Sequence, residues 1–257
     1  MTVGICGHEP LSPATRAGFT NCNFSTGLHP WLYAHTRYAG KLGRNDYIRC
    51  LEFAIESFYS YASSSNFGTS TQRDAGKFVT DFTIGKLGEV ALQKFLKARF
   101  DVEISLDFTM RKAIVGQDIV EIAPPRKGGR VFNPIRKRVA IKTSKLKNVW
   151  LIVPEKEVVD VHRTSDIYIF SRVDLFFDHL IRFLRDHKSL KNVKSKIPAF
   201  VDMSAEICGF IKKSTLMAKG PTTDLPGQKT EIQRSYIRRT GELQKTEAEW
   251  IKLLATL

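Results

Sequence analysis

Apolar and polar residues alternate along this chain with two different periods, and the switches between them mark out its elements. From residue 46, DYIRCLEFAIESFYSYA sets Tyr47, Leu51, Ala54, Ile55 and Phe58 on one face at helical spacing, with Asn45 or Asp46 as the cap. The polar run SSSNFGTSTQRDAG, 63–76, predicts a loop. A second helix follows in TIGKLGEVALQKFLKARF, 83–100, where Ile84, Leu87, Gly88, Ala91 and Phe95 form one stripe. A glycine inside a helix costs roughly 1 kcal/mol, so Gly88 within the stripe predicts close packing against a neighbour. Glu89 lies on the flank of that stripe, either solvated or leaning into a site beside the core.

The period then shortens to two. FDVEISLDF (100–108), AIVGQDIVEIA (113–123), RVAIKTSKL (138–146), VWLIVP (149–154), SDIYIFSRVDLFF (165–177) and AEICGFIKK (205–213) read as strand material. Between the second and third, PPRKGGRVFNPIRKR has the Pro/Gly punctuation of a long charged turn. Asp178 starts a helix through DHLIRFLRDH, Ser214 caps a short helix, 219–230 is loop, and EAEWIKLLATL closes the chain as an amphipathic helix. The expected fold is α/β, or α+β: a central mixed sheet of about five strands flanked by helices. Residues 1–45, rich in Gly, Pro, Asn and Ser, form an irregular arm. A core spans 46–217, and a basic loop and helix fill 218–257.

Composition narrows the functional classes. The hydrophobic fraction of 42% over 257 residues supports a real core. No apolar run is long enough to span a bilayer and residues 1–18 lack a secretory apolar stretch, so a cytoplasmic, non-membrane protein is expected. Of the four cysteines none forms a C-x-x-C pair. The spacing of Cys6 with His8, and of Cys22 with His29, fits no familiar zinc knuckle, so free thiols are expected. The formal charge of +14 favours a polyanionic partner, nucleic acid before an acidic membrane, because the excess is unevenly spread. Residues 111–148 hold eleven basic residues against Asp118 and Glu121. Residues 212–240 hold seven against Asp224 and Glu231.

Three motifs stand in order within this frame: GKLGE at 85–89 on a helix, GQDIVEI at 116–122 on a strand, and VAIKTSK at 139–145 on another, 24 positions separating Asp118 from Lys142. Residues i and i+2 of a strand share a face, so Ala140 and Lys142 point the same way. This order resembles the core of the PD-(D/E)XK nuclease superfamily, and the later segments SDIYIFSRVDL and AEICGFIKKSTL resemble type II restriction endonucleases; the likeness covers roughly residues 80–217. It implies a restriction-endonuclease-like core and a Mg²⁺-dependent, site-specific deoxyribonuclease acting within restriction–modification, in a bacterial or archaeal cytoplasm. It also implies catalytic roles for Asp118, Lys142 and the helix carboxylate Glu89, which would orient the lysine or serve a second metal. Metal would be held by Asp118, the residue at 140 and the backbone carbonyl of Ile141. In such a site carboxylates hold the cation, and a lysine positions or deprotonates the water and faces the developing oxyanion.

Position 140 departs from that pattern: alanine stands where the family has Glu or Asp. Three explanations are open, in this order. The first is an engineered change that disables cleavage and spares binding. The second is a migrated carboxylate, supplied by Glu89 or Glu121. The third is a degenerate, non-cleaving relative. On the first and third this chain cleaves poorly or not at all. A structure-reading repair nuclease and a pure DNA-binding protein are the competing functions.

Basic residues near the motif or in loops are the DNA-binding candidates. Arg126, Lys127, Asn133, Arg136, Lys137 and Arg138 lie in the charged turn, with Lys145 and Lys147 after the motif and His162 and Arg163 before a core strand. Gln228, Lys229, Gln233, Arg234, Arg238 and Arg239 lie near the C-terminus. A palindromic target implies a homodimer on double-stranded DNA, joined through the 47–61 helix or the C-terminal helix around Trp250.

Overall fold

The computed structural model describes residues 19–20, 38–60, 74–109, 117–125, 129–227 and 231–257, with only the backbone described at 19–20 and 38–39. Cys6, His8, Cys22, His29, Arg126, Lys127, Gln228 and Lys229 lie outside those residues. In chain order the elements are β1 (Phe19–Thr20), β2 (Tyr38–Leu42), α1 (Arg44–Ser60), α2 (Ala75–Phe100), β3 (Glu103–Leu106), β4 (Ile119–Ala123), β5 (Asn133–Pro134), β6 (Val139–Lys145), β7 (Trp150–Pro154), α3 (Glu155–Val159) and β8 (Ile167–Val173). Then come α4 (His179–Phe183), a 3-10 helix at Lys188–Lys196, β9 (Met203–Lys212), α5 (Lys213–Met217), β10 (Ser235–Arg239), a 3-10 turn at Thr240–Glu242 and α6 (Glu247–Leu254).

The main sheet runs β1-β2-β9-β8-β6, with β1 only two residues long. Strands β6 and β8 pair in parallel and the remaining neighbours antiparallel, so the sheet is mixed. A parallel pair needs a crossover, and here β7 and α3 supply it between β6 and β8. The fold is thus a mixed α/β arrangement with a mixed sheet and flanking helices. Strand β7 does not join the main sheet; it pairs with β10, from a segment expected to carry only loop and helix. The third sheet, β3-β4-β5, is tied to β6 where the Asp118 amide donates to the Val139 carbonyl at 2.9 Å.

Helix α2 crosses the sheet and is buried nearly all round its middle, from Thr83 to Leu92. It starts eight residues earlier than its apolar stripe indicates, because the Asp74 carboxylate caps it by accepting from the Lys77 amide at 2.7 Å. Gly88 is the contact point predicted for it. A Cβ there would lie 1.9 Å from Thr143 Oγ1 on β6 and 2.4 Å from Ser171 Oγ on β8, so only glycine lets the helix sit this low. Gly209, with φ +133°, sits beside a register shift between β8 and β9, against the Gln244 backbone.

Alternation along β6 divides the core. Val139 and Ile141 face the larger cluster built around α2, while Ala140 packs in a second cluster with Leu151, Val153, Val158, Tyr168 and Phe170. The last forty residues are woven into this body. Trp250 is 1% exposed and meets Phe95 and Phe210 at ring-centroid distances of 5.2 and 4.9 Å. The face of α6 that carries Trp250 is therefore filled by the chain's own core, while Ile251 on the same helix is exposed. Residues 38–42, placed in the irregular arm, form β2, a full partner of β9. No helix among the described residues is long and apolar enough to cross a membrane.

Candidate active site

Strand β6 is the edge of the main sheet, and the site is built on that edge. The chain enters β4 alongside it, and the Asp118 carboxylate accepts from the Ile141 amide at 2.6 Å. A strand residue's N–H and C=O point to the same edge, so the Ile141 carbonyl is turned toward Asp118 as well. Lys142 follows, on the opposite face from α2. Its ammonium pairs at 2.5 Å with Glu157, from the first turns of α3. The crossover from β6 to β8 thus lays an acidic helix over the same face as Lys142. The lysine is 28% and the glutamate 16% exposed, so the pair is half-buried and open to solvent on one side.

The charges here perturb one another. Burial raises the Asp118 carboxyl above the usual range, against the pull of Lys142, the Ile141 amide and Lys86. Burial alone would depress Lys142, but Glu157 and Asp118 outweigh it and hold the ammonium above its ordinary value. Glu89, 6% exposed, is pushed up to about 8 by burial first and then by the Asp118 charge. It accepts from Lys86 at 2.7 Å, and Lys86 also donates to the Asp107 carbonyl at 2.6 Å. Glu89 therefore pairs with Lys86 on the α2 side, while Lys142, which the resemblance has it orient if it does not serve a second metal, pairs with Glu157.

Ala140, expected at a metal-ligand position, is 3% exposed within the apolar second cluster. Glu121, proposed as a migrated acid, lies along β4 opposite Ser105 and Pro134. The carboxylate that reaches Lys142 is Glu157, which lies outside the three sequence motifs. Its one local signal is the acidic first turn EKE behind Pro154, where a short helix must begin. Among the described residues, the donors this edge offers are oxygens: the carboxylates of Asp118 and Glu157 and the carbonyl of Ile141. That set suits a hard cation such as Mg²⁺ and offers nothing to a thiophilic one. Among the described residues no group of three or more His, Cys, Asp or Glu side chains is gathered as a metal site, so any cation here takes ligands from backbone, water or substrate as well.

The DNA-binding candidates separate into groups. Asn133 and Arg136 are exposed and Lys137 is half-buried, all ahead of β6, while Lys145 and Lys147 are exposed at its far end. Arg138 is half-spent, donating from its guanidinium to the Val161 carbonyl at 2.8 Å. His162 is exposed, and Arg163 pairs with Asp160 at 3.4 Å. Gln233 is exposed, Arg234 pairs with Glu155 at 2.7 Å, and Arg239 lies over the Trp150 ring at 4.7 Å. Arg238 is a correction: only 3% exposed, it donates to the Thr215 and Leu216 carbonyls at 2.8 and 2.6 Å. It satisfies the carbonyl end of α5 and does not face a ligand. The comparisons with family models, curated proteins and solved structures returned no match.

Proposed function

We propose that this chain is a Mg²⁺-dependent deoxyribonuclease of the PD-(D/E)XK type, restriction-like in cutting duplex DNA at a specific sequence, in which Glu157 replaces the carboxylate missing at position 140. The observation that carries this is the convergence at the β6 edge: Asp118 on the Ile141 amide, and Glu157 on the Lys142 ammonium. The apolar packing of Ala140 favours a carboxylate relocated to α3 over one deleted from β6. A restriction-endonuclease-like core fits the order of elements, with Asp118 entering β4, Lys142 on β6 and the parallel strand β8 beyond it.

Asp118, Glu157 and the Ile141 carbonyl would hold Mg²⁺, which when bound neutralises charge on the scissile phosphate and acidifies a water. Lys142 is held as an ammonium by its two carboxylate neighbours. At neutral pH it serves as a cation and hydrogen-bond donor toward a phosphoryl oxygen, and not as the base. The Ile141 amide fixes the orientation of Asp118 from behind. Lys86, which donates to Glu89 on the other side of the edge, draws the Asp118 carboxyl down against its burial. The duplex would lie along the basic residues before and after β6, in contact with Arg136, Lys137, Lys145 and Lys147, with a second protomer completing a palindromic target.

The test is plasmid cleavage with Mg²⁺ by the unaltered chain and by Glu157→Gln, Lys142→Ala and Ala140→Glu. Discrete fragments are expected from the unaltered chain, with a loss of a hundredfold or more for Glu157→Gln and Lys142→Ala. Ala140→Glu should not improve cleavage, because it buries a further carboxylate among apolar side chains. Cleavage by Ala140→Glu alone would overturn the role of Glu157 and return the missing ligand to β6. Smears at no fixed position would favour a structure-reading nuclease, and intact plasmid in every case a DNA-binding protein without chemistry.

A further inference from the structure

Outside this site, the excursion between β8 and β9 carries a second basic feature. Residues Lys188–Lys196, KSLKNVKSK, form a nine-residue 3-10 helix with no buried residue. Runs of this conformation longer than three or four residues are uncommon, because its hydrogen bonds are poorer than those of an α-helix. Burial does not repay it here: Val193, one of its two apolar side chains, is 41% exposed. The geometry has one clear consequence. With three residues per turn, side chains three apart eclipse, and Lys188, Lys191 and Lys194 stand in a single row. A rise of about 2.0 Å per residue spaces them by roughly 6 Å.

That row is largely unneutralised. Lys194 pairs with Asp186 at 2.7 Å, while Lys188 and Lys191 have no carboxylate partner among the described residues. Like charges aligned this way repel weakly, and a polyanion lying along them would relieve that repulsion. Phosphates on one strand of B-DNA advance about 3.4 Å along the axis per nucleotide, and farther along their helical path, which is the scale of the lysine spacing. The excursion is also rooted at the correct end of the sheet. Its helix α4 begins at His179, whose Nδ1 lies 2.6 Å from the Tyr47 hydroxyl and whose Nε2 lies 3.1 Å from Thr80 Oγ1. Lys145, at the end of β6, is in electrostatic reach of that imidazole.

We propose that the Lys188–Lys191–Lys194 row is a phosphate rail, contacting consecutive phosphates of one DNA strand beyond the segment held at Lys145. The rail rests on the DNA-binding part of the function proposed above, but not on cleavage. The test is fluorescence anisotropy of a labelled mixed-sequence duplex without divalent ions, across a range of salt concentrations. It compares the unaltered chain, Lys188→Ala/Lys191→Ala, and Lys41→Ala/Lys252→Ala as a control of equal charge; circular dichroism confirms that each is folded. Each phosphate contact contributes about 0.9 to the slope of log K against log salt, so the rail variant should lose roughly 1.8 from the slope and the control none. An unchanged slope in the rail variant would overturn the rail while leaving DNA binding intact. An equal drop in the control would also overturn it, since net charge alone would then explain the effect. Absence of duplex binding by the unaltered chain at low salt would remove both the rail and the DNA reading.

Discussion

Gly88→Ala is the most direct test of how α2 is seated on the sheet. The new methyl would lie 1.9 Å from Thr143 Oγ1, 2.4 Å from Ser171 Oγ and 2.5 Å from Thr143 Cγ2, where ordinary contact begins near 3.4 Å. Rotating Thr143 cannot relieve this, because both of its branches are among the clashing atoms and β-branched residues are stiff at χ1. Thr143 Oγ1 is also engaged, donating to the Gly85 carbonyl at 3.2 Å and bonding Ser171 Oγ at 2.9 Å. Overpacking costs about 1–3 kcal/mol, and two weakened hydrogen bonds cost roughly 0.5–1.5 kcal/mol each. The gain in helix propensity returns about 1 kcal/mol. The net is a destabilisation near 3 kcal/mol, a fall in Tm of roughly 6–12 °C for a chain of this size. Urea denaturation checks the magnitude, and a double-mutant cycle checks the cause. Thr143→Ala removes both clashing branches, so Gly88→Ala/Thr143→Ala should be at least about 1 kcal/mol better than additive. A Gly88→Ala protein as stable as the unaltered chain, or strict additivity in the cycle, would refute the close approach.

Other consequences follow from buried charge. Arg172 and Glu206, each about 1% exposed, form an ion pair between β8 and β9, and Glu206→Gln strands the guanidinium; a loss of about 3–5 kcal/mol by chemical denaturation is expected. Glu89 has a folded pKa raised from 4.5 to about 8, so its contribution is fully present below pH 4.5 and is lost as pH rises through 8. Without divalent ions, the unaltered chain should lose on the order of a few kcal/mol across that window relative to Glu89→Gln, and parallel stability–pH curves would argue against a buried, protonated Glu89. Arg238→Met should cost roughly 2–3 kcal/mol through the freed carbonyls of α5 and leave unchanged the salt dependence of the DNA binding proposed above; a shallower slope would put Arg238 back among the phosphate contacts.

Half of the candidate site could be read from local pattern, and the other half depends on the tertiary crossover. Lys142 follows from alternation in VAIKTSK, and Gly88 announced its contact because a glycine in an apolar helical stripe needs a steric reason. The burial of Arg238 was also within reach, since SYIRR alternates and Tyr236 shares its face. Glu157 was not, because nothing in EKEVV distinguishes a solvated acidic first turn from one laid over a lysine fifteen positions earlier. Its placement depends on β6 and β8 being parallel neighbours, which obliges the intervening segment to cross one face of the sheet. Once that segment crosses the Ala140 face, Val158 fills the apolar cluster beneath it and Glu157, one residue away, meets Lys142. The methyl of Ala140 belongs to the same apolar cluster as Val158, so a carboxylate at 140 would bring charge into that packing. On the function proposed above, a carboxylate on β6 and one on α3 are alternative ways of furnishing the same edge.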